Sequence, residues 1–242
     1  MIFIKYPLPF STLEFLASAV NYISIERGLY AIAINYQSTF LEVKSLDTLE
    51  QYFINSPLKK VMQKHFELAV FKKFLRSNGR VLARKTLLDA GCGSGYGLKL
   101  LREAFHPREL FGLDILPREV QLARLQDTQA TVLLRDVVHT SLPPATFDAV
   151  FIFTMLHHVP QWREGLQEMS RILKPHGLLL VDELNKELVL FFQQTMGIKH
   201  PKEAQFEWPE FVQGLNAAGF KIIDKLVLFN RFGLFLCEKM IR

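Results

Sequence analysis

A glycine-rich turn at residues 89–97 is the part of the chain whose residue types most clearly suggest chemistry. Its sequence is Asp-Ala-Gly-Cys-Gly-Ser-Gly-Tyr-Gly, with glycine at every second position from 91 to 97. An apolar run precedes it, and apolar residues at helical spacing follow. Because glycine has no Cβ and adopts positive φ easily, the backbone can approach a ligand closely, and the next helix offers unpaired N–H groups. The pattern predicts a buried strand, a ligand-binding turn and a helix.

The glycine spacing separates two classes of ligand. A dinucleotide-binding turn has the pattern Gly-x-Gly-x-x-Gly, and counted from Gly91 this pattern requires glycine at position 96, where the chain has Tyr96. The observed Gly-x-Gly-x-Gly, with Asp89 two residues before Gly91, resembles instead the first motif of Rossmann-like S-adenosylmethionine (SAM)-dependent methyltransferases. A nucleotide-linked oxidoreductase and a purely structural glycine turn are the alternatives.

Acidic residues end three of the predicted strands. They are Asp89, Asp114 and Asp136. In an open parallel α/β sheet, ligands bind beyond the carboxyl ends of the strands. One helix and one strand lie between the glycine turn and Asp114, so this carboxylate can accept hydrogen bonds from both hydroxyls of a ribose. Asp136 is expected near an adenine, whose exocyclic amine is a donor, and Asp89 is expected to act indirectly, through turn amides or water. An ordinary acid at a strand end is the alternative for Asp114 and Asp136.

A second stretch, at residues 147–178, makes the resemblance more specific. It opens with Phe-Asp, runs through an apolar strand into Leu-His-His at 156–158, and ends with Leu-Lys-Pro-His-Gly at 173–177. The chain is thereby similar to the class I methyltransferases, specifically the branch of quinone-biosynthesis and many small-molecule methyltransferases. That branch usually has glycine where this chain has His176. The resemblance covers about residues 80–242 and implies methyl transfer from SAM.

The resemblance also implies where SAM would bind. The methionine part is expected in the glycine turn, the ribose and adenine beyond the second and third strands, and the sulfonium near the end of the fourth. The implied cofactor-binding residues are Asp89, Gly91, Gly93, Ser94, Gly95, Asp114, Ile115, Asp136, Val137, Phe153 and Thr154.

Two neighbouring histidines are the candidate catalytic residues. The sulfonium of SAM already activates the methyl group, so a base is needed only where the acceptor must lose a proton. His157 and His158 can supply that base because imidazole titrates near neutral pH; a pocket-lining or structural role is the alternative. Asp182 and Glu183, at the end of the fifth predicted strand, are the next candidates for holding the acceptor, with a loop-capping role as the alternative.

The elements that must position these residues alternate between strand and helix over residues 85–182, which predicts a parallel sheet covered on both faces. Two further apolar segments, 220–229 and 232–239, predict an antiparallel hairpin. The predicted fold is α/β: a Rossmann-like seven-stranded methyltransferase sheet of five parallel strands plus a C-terminal antiparallel hairpin. We assign residues 80–242 to the methyltransferase domain.

Residues 1–79 are predicted to form an N-terminal α/β extension. Its function is left open between a cap, a substrate lid and a dimerisation element. Its expected elements are helices over 10–25 and 46–54, strands over 29–36 and 39–43, and a longer helix over 57–75.

Composition indicates the cellular setting of the chain and the kinds of partner it can bind. Hydrophobic residues make up 49% of the 242-residue chain, which is sufficient for a large core. The two cysteines give neither a disulfide framework nor a zinc-binding spacing, so we predict a reducing, cytoplasmic setting and no metal site. No run of about 18 uncharged apolar residues occurs, so no transmembrane helix is predicted.

The acceptor is predicted from what the sequence contains and lacks. The net charge of +5 is dispersed, and no arginine-rich arm or aromatic-interleaved basic stripe occurs. The Asp/Asn-Pro-Pro-aromatic motif typical of amino-directed nucleic-acid methyltransferases is absent after the fourth strand. We therefore predict a SAM-dependent methyltransferase with a small, apolar or aromatic acceptor. An RNA methyltransferase, a SAM-binding protein without catalysis, and a homodimeric state are kept as alternatives.

Overall fold

The computed structural model describes residues 57–241 except 128 and 198. The elements predicted before residue 57 lie outside the described residues, so the role of the N-terminal extension stays a prediction. Contacts group Met62–Arg242 into one compact unit, separate from residues 1–61. The predicted domain boundary at residue 80 stays a prediction, and the helix that precedes the glycine turn packs on the sheet, where Phe71 contacts Phe151.

Seven strands form one sheet in the order β3-β2-β1-β4-β5-β7-β6. Strands β1 to β5 pair in parallel, and β7 lies antiparallel between β5 and β6. This confirms the predicted fold class. The strands are β1 (Thr86–Ala90), β2 (Glu109–Asp114), β3 (Thr131–Leu134), β4 (Phe147–Phe153), β5 (Leu173–Leu184), β6 (Phe220–Leu228) and β7 (Phe232–Lys239).

Helices connect the strands, and none of those described has the length and apolar character needed to cross a bilayer. The predicted helix over 57–75 is present with a π-helical segment, Gln63–Glu67, in its middle. The α-helices are α1 (Pro57–Met62), α2 (Leu68–Ser77), α3 (Tyr96–Phe105), α4 (Pro117–Gln126), α5 (Trp162–Ile172), α6 (Lys186–Met196) and α7 (Trp208–Ala217), and 3₁₀ turns cover Leu156–His158 and Lys202–Ala204.

Alternate residues of the central strand β4 show that both faces of the sheet are covered. Phe151 contacts Phe71 of α2 and Phe105 of α3 on one face. Ile152 lies in the main core cluster together with Trp162 of α5, on the other face. Because side chains alternate along a strand, this near-continuous apolar strand is buried from both sides, as expected in a parallel sheet.

The start of β5 differs from the prediction. The strand was expected from Leu178, after a turn at 174–177, but it begins at Leu173 directly after α5. Leu173 pairs with Phe147, and regular pairing resumes only where Leu178 pairs with Ala149. The Lys-Pro-His-Gly segment is therefore an irregularity within the strand, where Pro175 has no N–H to donate to the sheet.

Candidate functional site

The glycine turn joins β1 to α3 with three residues in the left-handed region. Gly91, Gly93 and Gly95 have φ values of 77°, 50° and 91°. A Cβ at Gly95 would lie 2.8 Å from the Cα of Ala123, so this glycine lets α3 and α4 pack closely. A Cβ at Gly93 would meet nothing nearer than Glu119 Oε2, at 3.9 Å. Close packing therefore requires glycine at position 95, whereas the backbone at Gly93 stays open to a ligand.

Replacing Gly95 by alanine is expected to destabilise the protein by about 1–3 kcal/mol, because backbone atoms of α4 occupy the space of the new Cβ. The same change is expected to weaken SAM binding, because it displaces the start of α3. Gly79→Ala is the matched control: Gly79 also has a positive φ, 63°, but a Cβ there meets nothing within 4 Å. Chemical denaturation and calorimetry check both variants. A Gly95→Ala variant as stable as Gly79→Ala would contradict this account.

Asp114, the last residue of β2, holds the glycine turn in place. Its Oδ2 accepts a hydrogen bond from the Gly93 amide at 2.9 Å, and its Oδ1 accepts one from the Leu116 amide at 2.9 Å. Each carboxylate oxygen can accept a second hydrogen bond, so a ribose hydroxyl can still bind. Ile115, next to it, is 61% exposed and offers apolar surface to an adenine.

Asp114→Ala is expected to weaken SAM binding by about 1–3 kcal/mol, since both a ribose acceptor and the tether of the Gly93 amide are lost. Calorimetric titration with SAM measures the change. The control is Asp224→Ala, which removes a carboxylate that bonds Asn78 elsewhere in the fold. Equal affinities for wild type and Asp114→Ala would remove the assignment.

The residues after β3 lie where the sequence placed them, but their environments differ. Asp136 is exposed, and its Oδ1 accepts a hydrogen bond from the Val138 amide at 2.9 Å. Val137 is 7% exposed and belongs to the main core cluster. A ligand at this edge would therefore meet the Asp136 carboxylate and the backbone of Val137 rather than the Val137 side chain.

The carboxylate of Asp89 is buried, and the described part of the chain does not compensate it. Asp89 is 1% exposed, and neither carboxylate oxygen has a hydrogen-bond partner among the described residues. The turn amides that were candidate partners bond elsewhere: that of Gly93 to Asp114, and those of Gly91 and Cys92 to the Leu113 carbonyl. Burial, and then the charge of Asp114, raise the pKa of Asp89 to about 8. A buried acid without partners is unusual in a folded protein and fits a site built for a cation.

The end of β4 carries a strained residue. Thr154 has a φ of 52°, a region that β-branched residues rarely adopt. Its amide donates to the Asp182 carbonyl at 3.1 Å, and its hydroxyl donates to Asp182 Oδ1 at 2.9 Å. The preceding Phe153 is 8% exposed and packs against Phe71 of α2. Such strain persists only where the surroundings enforce it, and it is common at functional sites.

His157, which follows Thr154 by three residues, forms a buried pair with Glu183 of β5. His157 Nδ1 lies 2.7 Å from Glu183 Oε2, and the other carboxylate oxygen accepts hydrogen bonds from the amides of Met155 and Leu156. Glu183 is fully buried, and burial raises its pKa to about 7 against the lowering effect of those amides. Glu183 thus fixes the orientation of the His157 ring, a contribution that the sequence alone did not reveal.

His158 packs against His157, with ring centroids 4.1 Å apart. Burial, and then the proximity of His157 and His200, lower the pKa of His158 to about 2. Its imidazole is therefore neutral at physiological pH and a weak base.

His200 completes a cluster that the sequence did not predict. Helix α6 is capped by Asn185, which accepts a hydrogen bond from the Leu188 amide at 3.0 Å, and it ends at Gly197 with a φ of 71°. Beyond this helix, the His200 ring lies 5.1 Å from that of His157 and 4.8 Å from that of His158. No sequence spacing relates His200 to the histidine pair, and only the return of this segment brings them together.

Comparison with known proteins finds similarity to methyltransferases. The methyltransferase domain family matches residues 88–181. A Mycolicibacterium smegmatis protein named "Probable S-adenosylmethionine-dependent methyltransferase" is 29% identical over 153 residues, which are 63% of this chain and 58% of the relative. The ubiquinone biosynthesis O-methyltransferase of Xylella fastidiosa (strain M23) is 28% identical over 127 residues, 49% of this chain and 50% of the relative.

Solved structures confirm the fold. A chain from the complex between the Haloferax volcanii Trm112 methyltransferase activator and a methyltransferase superposes with a TM-score of 0.64 at 19% identity, covering 80% of this chain and 98% of that one. The chain spans about half the length of the curated relatives it matches.

Proposed function

We propose that this chain, in which residues 88–181 match the methyltransferase domain family, transfers a methyl group from SAM to a small, apolar or aromatic acceptor. The observation that carries the proposal is the buried Asp89 carboxylate, which has no hydrogen-bond partner among the described residues and lies beside the open backbone of the glycine turn. The small acceptor is supported by the ubiquinone O-methyltransferase among the relatives and by the absence of basic nucleic-acid motifs.

The residues of the glycine turn fit SAM. The ammonium at the amino-acid end of SAM would compensate the Asp89 charge, which has no partner among the described residues. We propose that the turn residues Gly91 to Gly95, including the half-buried Ser94, hold the methionine part. Asp114, Ile115 and Asp136 would hold the ribose and adenine. Asp89 would therefore be a direct ionic partner rather than the indirect one first expected.

When bound, SAM supplies a methyl group that its sulfonium has already activated. The task of the chain is then to align the acceptor and exclude water, and alignment contributes roughly 7–11 kcal/mol at best. Thr154 and Phe153 suit this task, because hydrogen bonds to Asp182 and packing in the core hold the backbone at the end of β4.

We propose that His157 removes the proton of the acceptor. The carboxylate of Glu183, 2.7 Å from Nδ1, orients the ring, and Nε2 would take the proton of the acceptor. His158 is a poor candidate for this role because its pKa is lowered to about 2. It lines the acceptor side instead, together with the segment after α6.

Methyl transfer tests the proposal directly. The protein would be incubated with methyl-labelled SAM and, separately, hydroquinones, phenols, small amines and total RNA, with S-adenosylhomocysteine (SAH) measured in parallel. We expect SAH and labelled product with at least one small apolar or aromatic acceptor. Label in RNA alone would replace this function with the RNA alternative, and SAM binding without transfer to any acceptor would favour a non-catalytic SAM-binding protein.

A further inference from the structure

Three histidines on two separate segments converge at the carboxyl edge of the sheet. His157 and His158 belong to the 3₁₀ turn after β4, and His200 belongs to the segment after α6. One ring nitrogen from each lies within 4.8 Å of the other two. Among the described residues, no other group of three histidine, cysteine, aspartate or glutamate side chains converges in this way.

The cluster contains a buried nitrogen whose hydrogen-bonding capacity is unmet within the described part of the chain. His200 is 8% exposed, and its Nδ1 has no hydrogen-bond partner among the described residues. Buried polar atoms are almost always hydrogen-bonded in folded proteins. The His200 ring lies 5.1 Å from that of His157 and 4.8 Å from that of His158, and a ligand bound through His200 Nδ1 would provide the missing partner.

Glu183 gives the cluster a second feature of metal sites. Histidines that bind metals usually bond a carboxylate through the ring nitrogen that does not face the ion. Glu183 Oε2 lies 2.7 Å from His157 Nδ1 and so directs Nε2 away from the carboxylate. The buried negative charge also offsets part of the charge of a divalent cation.

We propose that His157, His158 and His200 bind a divalent transition metal ion, with Zn²⁺ as the best match. Imidazole suits Zn²⁺, and three histidines leave the fourth tetrahedral position open, as in catalytic rather than structural zinc sites. Zn–N bonds of about 2.0–2.1 Å place ligand nitrogens about 3.3 Å apart. The ring nitrogens, which lie within 4.8 Å of one another, would therefore move together by about 1.5 Å at most to bind the ion. This differs from the prediction of no metal site, which considered cysteine spacing alone.

The ion would change how the acceptor is activated. An acceptor hydroxyl bound at the open position would lose its proton to solvent, and its oxygen, held on the ion, would be the nucleophile. The ion would then replace His157 as the means of removing the proton, because a coordinated Nε2 cannot accept one. This consequence rests on the proposed function, whereas ion binding does not, so the test measures binding.

The experiment uses the full chain after removal of metals with a chelator. Calorimetric titration with Zn²⁺ is expected to give one ion per chain, and Co²⁺ to give the visible absorption of a tetrahedral site. Replacing His200 with alanine should weaken Zn²⁺ binding by at least about 100-fold, and Glu183→Gln by about 10–100-fold. His65→Ala removes an exposed histidine from the π-helical segment and should bind Zn²⁺ as wild type does.

The proposal is overturned if wild type binds no stoichiometric ion, or if His200→Ala binds Zn²⁺ as tightly as His65→Ala does. Both free cysteines are buried, so they do not offer a competing exposed thiol. A measurement on the wild type tests the site even if a variant does not fold. In the NMR spectrum of the wild type, Zn²⁺ should shift the ring resonances of the three cluster histidines. Unshifted cluster resonances alongside shifted resonances of exposed histidines would also overturn the site.

Discussion

Asp89→Asn is expected to weaken SAM binding by about 2–5 kcal/mol, the range for removing one partner of a buried charge pair. The same change is expected to stabilise the protein without SAM. Neither carboxylate oxygen of Asp89 has a partner among the described residues, and burial raises its pKa to about 8. Asparagine fills the same space without an ionisable group, so function and stability should change in opposite directions.

The pH dependence of stability follows from the same shift. The folded-state pKa of Asp89, about 8, lies above its ordinary value of 3.8. Between these two pH values, Asp89 holds a proton in the folded state that it has lost in the unfolded state. The contribution of Asp89 to the free energy of unfolding is therefore complete below about pH 3.8 and is lost as the pH rises through about 8. Thermal melts of the SAM-free wild type should show this loss, and Asp89→Asn should lack it.

Asp148→Asn provides a matched control at the opposite end of the sheet. Burial favours a higher pKa for Asp148, but the Thr86 amide and the Lys174 ammonium outweigh it, so its pKa is lowered. This variant should lose stability and keep the affinity for SAM. An Asp89→Asn variant that binds SAM like wild type would exclude Asp89 as the ionic partner.

His157→Gln is expected to lower kcat by about 10²–10⁴ for an acceptor that must lose a proton, the usual contribution of a positioned base. The affinity for SAM should change little, because the proposed cofactor-binding residues lie outside the histidine cluster. Steady-state kinetics with a hydroxylated acceptor, combined with SAM calorimetry, separates the two effects. The assay is run with the metal-free protein, so that a bound ion does not occupy Nε2.

The control for this variant is His176→Gln. His176 also pairs with a glutamate, Glu238, at 2.7 Å through Nδ1, but it is exposed and lies at the other end of β5. It should keep full activity. A His157→Gln variant as active as His176→Gln would exclude the base role. Wild-type activity that disappears on chelation and returns with Zn²⁺ would instead assign activation of the acceptor to the ion.

Local patterns predicted the fold well, because each strand and helix has its own periodic signal. The alternation along residues 85–182 and the hairpin signal near Asn230 give the sheet that the structure has. The start of β5 was wrong because Pro175 and Gly177 resemble a turn, whereas pairing of Leu173 with Phe147 extends the strand past them. Tertiary pairing overrides local turn signals in such a segment.

The site was less predictable, since it depends on contacts between distant segments. The position of Asp89 was evident from the sequence, but its lack of partners depends on Asp114 binding the Gly93 amide. Glu183 was identified only as a strand-end acid, and its pairing with His157 needs the register of β4 and β5. His200 could not be found from spacing, because only the turn after α6 brings it to the cluster.

Calorimetric titration of the full chain with SAM, SAH and NAD decides whether the glycine turn binds SAM. We expect SAM and SAH to bind with one site per chain and NAD not to bind, because Asp89 provides a partner for an amino-acid ammonium and Tyr96 replaces the glycine of a dinucleotide turn. Binding of NAD, or no binding of SAM and SAH, would contradict the account.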